Sequence, residues 1–120
     1  MTSTVEIIPA ARIVDVWPAV SALMERGLLD AGHGEYKSSD MVKALIAGKF
    51  QLWIIHESAA IRAIGLTQLI DYPQFRTAVI TMIVGDGREA WRSVFLDQFD
   101  CWARTEKCVS GEIIGRDGWV

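Results

Sequence analysis

The order in which the hydrophobic pattern changes along the chain is the feature that most constrains its fold. Between residues 50 and 84, three β-rich runs follow one another with short breaks at 58–60 and at Tyr72-Pro73. Consecutive strands joined by short turns pair as an antiparallel meander. A segment with helical spacing, 89–107, and a last β-rich run, 109–114, come next. A helix between two strands makes that pair parallel, so we predict a mixed, mostly antiparallel sheet.

The N-terminal part predicts one more strand and two helices. Residues 4–8 (TVEII) are β-rich, and apolar residues then recur at helical spacing. Asp15 is a suitable N-cap for the first helix, which places Pro18 in its first turn. Ser38 or Ser39 is a suitable N-cap for the second helix. The predicted order is β, α, α, β, β, β, α, β, an α+β fold that forms one domain over all 120 residues.

The composition limits the class of protein. About half of the residues are apolar and five are tryptophan, so the chain has enough apolar surface for a core. The formal net charge is -3, without a basic stripe, which argues against a nucleic-acid-binding protein. No apolar run reaches the ~18 residues that span a bilayer, and there is no signal-peptide pattern. Two cysteines without metal-ligand spacing indicate a reduced environment. We predict a soluble cytoplasmic protein without a metal site.

The stretch IVGDGREAW, which begins at residue 83, leads from the meander into the long helix and allows two interpretations. Glycines between a strand and a helix form either a phosphate-binding turn or a plain tight turn. In the first case Arg88 and Arg92, one helical turn apart, would neutralise phosphate oxygens. In the second case the Asp86 carboxylate would cap the helix and occupy the same N–H donors. On spacing alone, the capped turn with solvated arginines is the commoner arrangement.

Short stretches along nearly the whole chain carry a family resemblance. They are VWP at 16–18, AGK at 47–49, QLW at 51–53, IDYP at 70–73, GDGREAW at 85–91, CWAR at 101–104 and EIIGRDGW at 112–119. In this order they resemble the GNAT N-acetyltransferases, and most of all small GNAT-like proteins of tailed phages and prophages. The resemblance implies a GNAT-like sheet with helices on both faces. It also implies acetyl-CoA-dependent acyl transfer to an amine, in the host cytoplasm if the protein is phage-encoded.

The resemblance assigns acyl-CoA binding to the turn after the fourth strand. The residues concerned are Val84, Gly85, Asp86, Gly87, Arg88, Glu89, Ala90 and Arg92. Glycine lets a ligand approach the backbone closely, because it has no Cβ. The family signature at this turn, Q/R-x-x-G-x-G/A, is present only in a degenerate form. Acyl-CoA binding and a plain capped turn therefore both remain open.

Transfer to an amine also needs a general base. The third run of the meander, residues 76–84, contains no glutamate, although many GNAT enzymes place a base there. Glu112 in the last strand is the best-placed carboxylate, because partial burial would make it basic. The commoner alternative is that Glu112 is simply an exposed strand residue without a catalytic role. Tyr36 and His33 lie between the first two helices, where GNAT-like enzymes contact the acceptor. The alternative for both is an exposed loop.

The C-terminal region departs from the family pattern. The family fold normally continues past the fifth strand and supplies a tyrosine that acts as general acid there, whereas this chain ends at Val120. We therefore expect a fold truncated after the fifth strand, with an open edge at 109–114 and the apolar Trp119 beyond it. An exposed apolar edge invites pairing, so we expect a homodimer or a protein contact through this region. Three functions follow: an N-acyltransferase, a CoA-binding module without transfer, and an inactive phage protein that acts through protein contacts.

Overall fold

The predicted meander forms the centre of a five-stranded sheet. The computed structural model describes residues 3–31 and 36–113, and in it the strands lie side by side in chain order. The first three neighbouring pairs are antiparallel, and the last pair is parallel, as predicted, because a helix connects its two strands. The strands are β1 (Ser3–Ile8), β2 (Gln51–Glu57), β3 (Ala60–Asp71), β4 (Arg76–Gly85) and β5 (Ser110–Ile113), and the helices are α1 (Ile13–Ala31), α2 (Ser38–Ile46) and α3 (Arg88–Thr105).

Helices cover both faces of the sheet and create two hydrophobic clusters. Side chains alternate between the faces along a strand. Leu52 and Ile54 of β2 therefore pack under α1 and α2, whereas Trp53 and Ile55 pack under α3. All four side chains are buried, which explains why this run is apolar at consecutive positions. The fold is therefore α+β with helices on both faces of a mixed, mostly antiparallel sheet, as the sequence resemblance implied.

The amphipathic pattern of α3 determines how this helix lies on the sheet. Its buried residues recur every four positions: Trp91, Phe95, Phe99 and Ala103. This spacing forms one apolar stripe along a helix. The Phe95 ring packs edge-on against the Trp53 indole, with ring centroids 5.6 Å apart. The stripe fixes the rotation of α3 about its axis and thereby the direction in which its N-terminal residues point.

The two predicted helix caps are wrong. α1 begins at Ile13, so Asp15 lies inside its first turn and Pro18 lies in its second turn, not its first. Ile13 is buried at the start of this helix, and Pro18 has no N–H to donate within it. At α2 the cap position is Lys37 and not a serine. The Lys37 N–H donates to Asp40 Oδ2 at 2.9 Å, so an acid in the first turn stabilises this helix start.

Some predicted features lie outside the described residues. His33, in the loop before α2, is one of them, and Trp119 is another. Among the helices that the structure describes, none is long and apolar enough to cross a membrane. Within the same residues, no group of three His, Cys, Asp or Glu side chains is arranged to hold a metal ion.

Candidate functional site

A β-bulge divides β4 into two halves. Leu66 of β3 lies opposite Met82. The next β3 residue, Thr67, lies opposite Ile80, so Thr81 is an extra residue on β4. Because of this extra residue, Ile80 belongs to the cluster under α3, whereas Met82 belongs to the cluster under α1 and α2. Bulges bend a strand and increase its twist, and they are frequent next to active sites.

The bulge also marks the point where β4 and β5 stop pairing in the described part of the chain. β5 is in register with Thr77–Ile80 only. The distal half of β4, residues 81–85, therefore has β3 on one side and no described strand on the other. The predicted base Glu112 has its Cα opposite Val79, two residues before the bulge. The side chain of Glu112 lies outside what the structure describes.

Two glycines form the β4–α3 turn (residues 85–87). Their φ angles are 152° at Gly85 and 70° at Gly87, where side chains are rarely accommodated. A Cβ at Gly85 would collide with the Ala63 Cβ and the Arg62 carbonyl oxygen, so this glycine is required by the close approach of the turn to β3. A Cβ at Gly87 would lie 2.6 Å from Arg62 Nη2. Contact with the β3 backbone therefore requires glycine at position 85, whereas at position 87 the positive φ favours it.

Hydrogen bonds anchor the turn to the sheet and to α3. The Asp86 N–H donates to the Arg62 carbonyl at 3.1 Å. The Trp91 indole Nε1–H donates to the Asp86 carbonyl at 2.8 Å, and this tryptophan is buried in the cluster under α3. The turn is thus tied to β3 on one side and to α3 on the other. A turn held in this way is preorganised for binding.

The Asp86 carboxylate does not cap α3. Its Oδ1 lies 3.3 Å from Arg26 Nη2 on α1, as an ion pair between exposed side chains. The residue before the first helical turn is Gly87, and in the described structure no side chain caps this end of α3. The alternative in which the Asp86 carboxylate caps α3 is therefore not what the structure shows. The positive macrodipole end of α3 would favour an anion at this helix start.

Arginines from three elements lie at this turn. Arg88 and Arg92 stand on the first two turns of α3 and were predicted. Arg26 of α1 pairs with Asp86 from 60 positions away in sequence. Arg62 of β3 lies against Gly87. Neither Arg26 nor Arg62 was predicted at this site, because nothing local to either residue indicates that the fold brings it to residues 85–87.

Arg62 reaches the turn because β3 also contains a bulge. In the pairing with β2, Ile55 lies opposite Ala63 and His56 lies opposite Ile61. Arg62 is therefore the extra residue on β3. A bulge re-aims a side chain away from the regular alternation. Two irregularities, one in β3 and one in β4, thus flank the same end of the sheet.

On the predicted acceptor side the structure places one of the two candidate residues. The Tyr36 ring lies edge-on to Phe50, with centroids 5.7 Å apart, and Tyr36 is 43% exposed. Tyr36 therefore contacts the buried Phe50 and remains accessible from solvent. His33, its predicted companion, is not among the described residues.

The described arrangement can bind a phosphate group at the turn. It offers backbone N–H donors at a helix start, glycine backbone and several guanidinium groups, which is the donor set that phosphates prefer. The distal half of β4 can pair its backbone with an extended chain that carries amide groups. These two features adjoin, because β4 leads directly into the turn. The residues present thus fit a ligand with a phosphorylated end and an extended amide-containing arm.

The fold is that of the GNAT-family acetyltransferases. A predicted acetyltransferase from Clostridium acetobutylicum, solved with acetyl-CoA, superimposes with a TM-score of 0.67 at 16% identity, over 97% of this chain and 82% of the other. A GNAT family acetyltransferase from Staphylococcus aureus gives 0.66 at 11% identity, over 100% and 93%. A ribosomal-protein-alanine N-acetyltransferase from Brucella melitensis gives 0.68 at 7% identity, over 98% and 82%.

Comparison of sequences adds no relatives. No protein-family model matches this chain, and no curated protein sequence matches it. At the identities of the structural neighbours, the likeness shows the fold alone. What the protein does must therefore be argued from the residues at its own site.

Proposed function

We propose that this protein is an acetyl-CoA-dependent N-acyltransferase that transfers an acyl group to an amine. The observation that carries the proposal is the β4–α3 turn, where α3 starts without a side-chain cap among the described residues and Asp86 is held by Arg26. A helix start of this kind favours phosphate groups. The fold supports the proposal, because a neighbour with the same fold was solved with acetyl-CoA.

The proposal gives each part of the turn a role. Acetyl-CoA supplies an activated acyl group as a thioester, on an amide-containing arm that ends in phosphates. The N–H groups at the start of α3 would donate to the pyrophosphate, and Arg88 and Arg92 would neutralise its oxygens. The distal half of β4 would hydrogen-bond the arm as an added strand. Val84, Glu89 and Ala90 would contribute backbone to the same site.

Glu112 is our proposed general base, and Tyr36 and His33 are our proposed acceptor-side residues. The support for Glu112 is its register opposite Val79, close to the bulge at Thr81. With amines screened as acceptors, Glu112→Gln should lower kcat by about 10²-fold or more and leave the Kd for acetyl-CoA unchanged. Equal kcat values in the two proteins would remove Glu112 from this role.

The test of the proposed function is calorimetric titration of acetyl-CoA and CoA into the purified protein. We expect micromolar binding that Arg88→Ala weakens by about tenfold, the effect of one charge-assisted hydrogen bond. Arg104→Ala is the matched control, because Arg104 lies near the other end of α3, where it pairs with Asp100 at 2.9 Å. If millimolar acetyl-CoA produces no heat with the unmodified protein, the acyltransferase proposal is wrong.

A second function, protein contact without catalysis, has one observation in its favour. β5 is an outer strand of the described sheet, and Val109 next to it is 69% exposed. We propose a homodimer or a protein contact through this edge. Sedimentation should then show a dimer at high concentration, and Val109→Lys should shift it towards the monomer. A strict monomer at all concentrations would contradict the homodimer.

We also propose that the protein is of phage or prophage origin. Its support is the set of short sequence stretches that resemble small phage GNAT-like proteins. Such an origin would place the protein in the host cytoplasm, where acetyl-CoA is abundant and thiols such as those of Cys101 and Cys108 stay reduced. Expression of the gene during phage infection, with the product in the soluble host fraction, is the result expected.

A further inference from the structure

The Arg62 guanidinium lies directly over the start of α3. A Cβ built on Gly87 would come within 2.6 Å of Arg62 Nη2, 3.4 Å of Cζ and 3.5 Å of Nε. Gly87 immediately precedes the first residue of α3. The guanidinium therefore faces the positive end of the helix macrodipole, where a cation is electrostatically unfavourable unless an anion lies beside it.

The protein's own carboxylates satisfy this guanidinium only in part. In the described part of the chain, the one ion pair of Arg62 is with Glu57, whose Oε1 lies 3.3 Å from Nε. Nε is nevertheless a buried atom without a hydrogen-bond partner among the described residues. Asp86, the acid of the turn, is bonded to Arg26 instead. The side of the guanidinium that faces Gly87 thus has no described carboxylate against it.

Both the main chain and the side chain of Arg62 contact the turn. Its carbonyl accepts the Asp86 N–H at 3.1 Å, and its guanidinium covers Gly87. The bulge that makes this residue the extra one on β3 places both groups here. The side chain is 39% exposed, so a ligand at the turn can reach it. A guanidinium binds a phosphate through two parallel N–H donors, which an ammonium cannot reproduce.

We propose that Arg62 binds a phosphate of the ligand together with the N–H groups at the start of α3, and so selects phosphorylated acyl carriers over unphosphorylated thioesters. This inference rests on the proposed function, because it assigns a ligand-binding residue to the same turn. The favoured carrier class is a nucleotide-linked pantetheine thioester. Pantetheine alone, which has the arm without the phosphates, is the disfavoured class.

The experiment measures the Kd of CoA by calorimetry for the unmodified protein and for Arg62→Gln, Arg62→Lys and the control Arg104→Gln. We expect Arg62→Gln to weaken CoA binding by about tenfold to a hundredfold, and Arg62→Lys to recover part of this loss. Arg104→Gln should have no effect. The dependence of log Kd on log salt concentration should be shallower for Arg62→Gln, because one charged contact with phosphate is lost.

A second measurement tests the selection itself by competition against bound CoA. Pantetheine should displace CoA from the unmodified protein much less effectively than free CoA does. In Arg62→Gln the difference between the two competitors should shrink by the same tenfold to hundredfold factor. If pantetheine competes as well as CoA in the unmodified protein, selection for phosphorylated carriers is excluded.

A purely structural role of Arg62 is distinguishable from ligand binding. Arg62→Gln leaves the Glu57 carboxylate, which is only 15% exposed, without its ion pair, so Glu57→Gln/Arg62→Gln serves as a second variant. We expect this double variant to keep the melting temperature of the unmodified protein and to retain the loss of CoA affinity and the shallower salt dependence. If the unmodified protein binds CoA and both variants bind it equally well, Arg62 is not a ligand-binding residue, although the proposed function stands. If the unmodified protein binds no CoA, both proposals fail.

Discussion

Three glycines have positive φ, but the surroundings that a side chain would meet differ from one to the next. Gly48 ends α2 with φ of 78° and has open space where a Cβ would point. Gly85 has φ of 152°, and the backbone of β3 fills the space of its missing Cβ. Gly87 has the Arg62 guanidinium over it. At Gly85 both torsion and packing exclude a side chain, whereas at Gly48 only the torsion does.

The first residue-scale prediction follows from this contrast. Gly85→Ala should lower the free energy of unfolding by about 1–3 kcal/mol more than Gly48→Ala, because the added methyl group collides with β3. Urea denaturation of both variants measures the difference. Gly85→Ala should also weaken acetyl-CoA binding, since the turn must move away from β3. Equal stability losses for the two variants would show that the turn is not packed against β3 as described.

The two thiols supply the second residue-scale prediction. Burial raises the pKa of the Cys108 thiol, an effect that the nearby Arg76 guanidinium partly opposes, whereas Cys101 is exposed on α3. The thiolate is the reactive form, so a raised pKa lowers reactivity at a given pH. Cys101 should therefore react with a disulfide reagent faster than Cys108 at pH about 8. The Cys101→Ser and Cys108→Ser variants assign the two phases, and a faster reaction in Cys101→Ser than in Cys108→Ser would contradict the expectation.

At the scale of the elements, the bulge at Thr81 has a consequence for the whole of β4. Ile80 faces α3, and Met82 faces α1 and α2, although regular alternation would place both on one face. The bulge absorbs Thr81, so Ile80 and Met82 face opposite sides of the sheet as two adjacent strand residues would. Removing Thr81 would restore regular alternation without moving any flanking side chain to the wrong face. The bulge is needed for the shape of β4 and not for the composition of the core.

Two single-residue deletions in β4 should have different results. Deletion of Thr81 should leave a cooperatively folded protein, because each remaining residue keeps its partner on β3. It should nevertheless weaken CoA binding by more than about tenfold, since the strand loses the bend that leads it to the turn. Deletion of Ile83 should be much more destabilising, because either Val84 turns to the opposite face or Thr81 replaces Met82 in the core. Thermal unfolding followed by circular dichroism compares the two, and a deletion of Ile83 that is no more destabilising than deletion of Thr81 would contradict the role given to the bulge.

At the scale of the whole molecule, the β4–α3 turn connects the parts of the fold that lie on opposite faces of the sheet. Arg26 joins it to α1, the Arg62 carbonyl joins it to β3, and the Trp91 indole joins it to the cluster under α3. A ligand bound at the turn would therefore contact groups that come together only when the chain folds. Binding to the native state alone raises stability by mass action.

We predict that CoA raises the melting temperature of the protein. At a CoA concentration about 100 times the Kd, the free energy of unfolding should rise by about 2.7 kcal/mol, which raises the melting temperature by several degrees. Arg88→Ala should lose most of this shift, and Arg104→Ala should keep it. A melting temperature that is constant up to millimolar CoA would contradict binding at any site of the folded protein.

The chain's local sequence was sufficient for the order and type of the elements, because hydrophobic period, glycine and short breaks act over a few residues. It was sufficient for the buried stripe of α3 as well, and for assigning Arg88 and Arg92 to the helix start. The predicted caps were wrong at both helices: α1 begins earlier, at the buried Ile13, and at α2 the local signal was the Asp40 carboxylate and not a serine. The GNAT resemblance added the expectation of helices on both faces.

Tertiary structure alone decided how the candidate site is built. Arg26 and Arg62 come to the turn from α1 and β3, and the extra residues Arg62 and Thr81 arise from strand registers that no local pattern encodes. The same holds for Asp86, whose carboxylate bonds Arg26 across 60 positions and so leaves α3 without a described side-chain cap. The physical reason is that strand register and long-range ion pairs depend on the packing of distant segments, whereas helix and strand periodicity depend on neighbours in sequence.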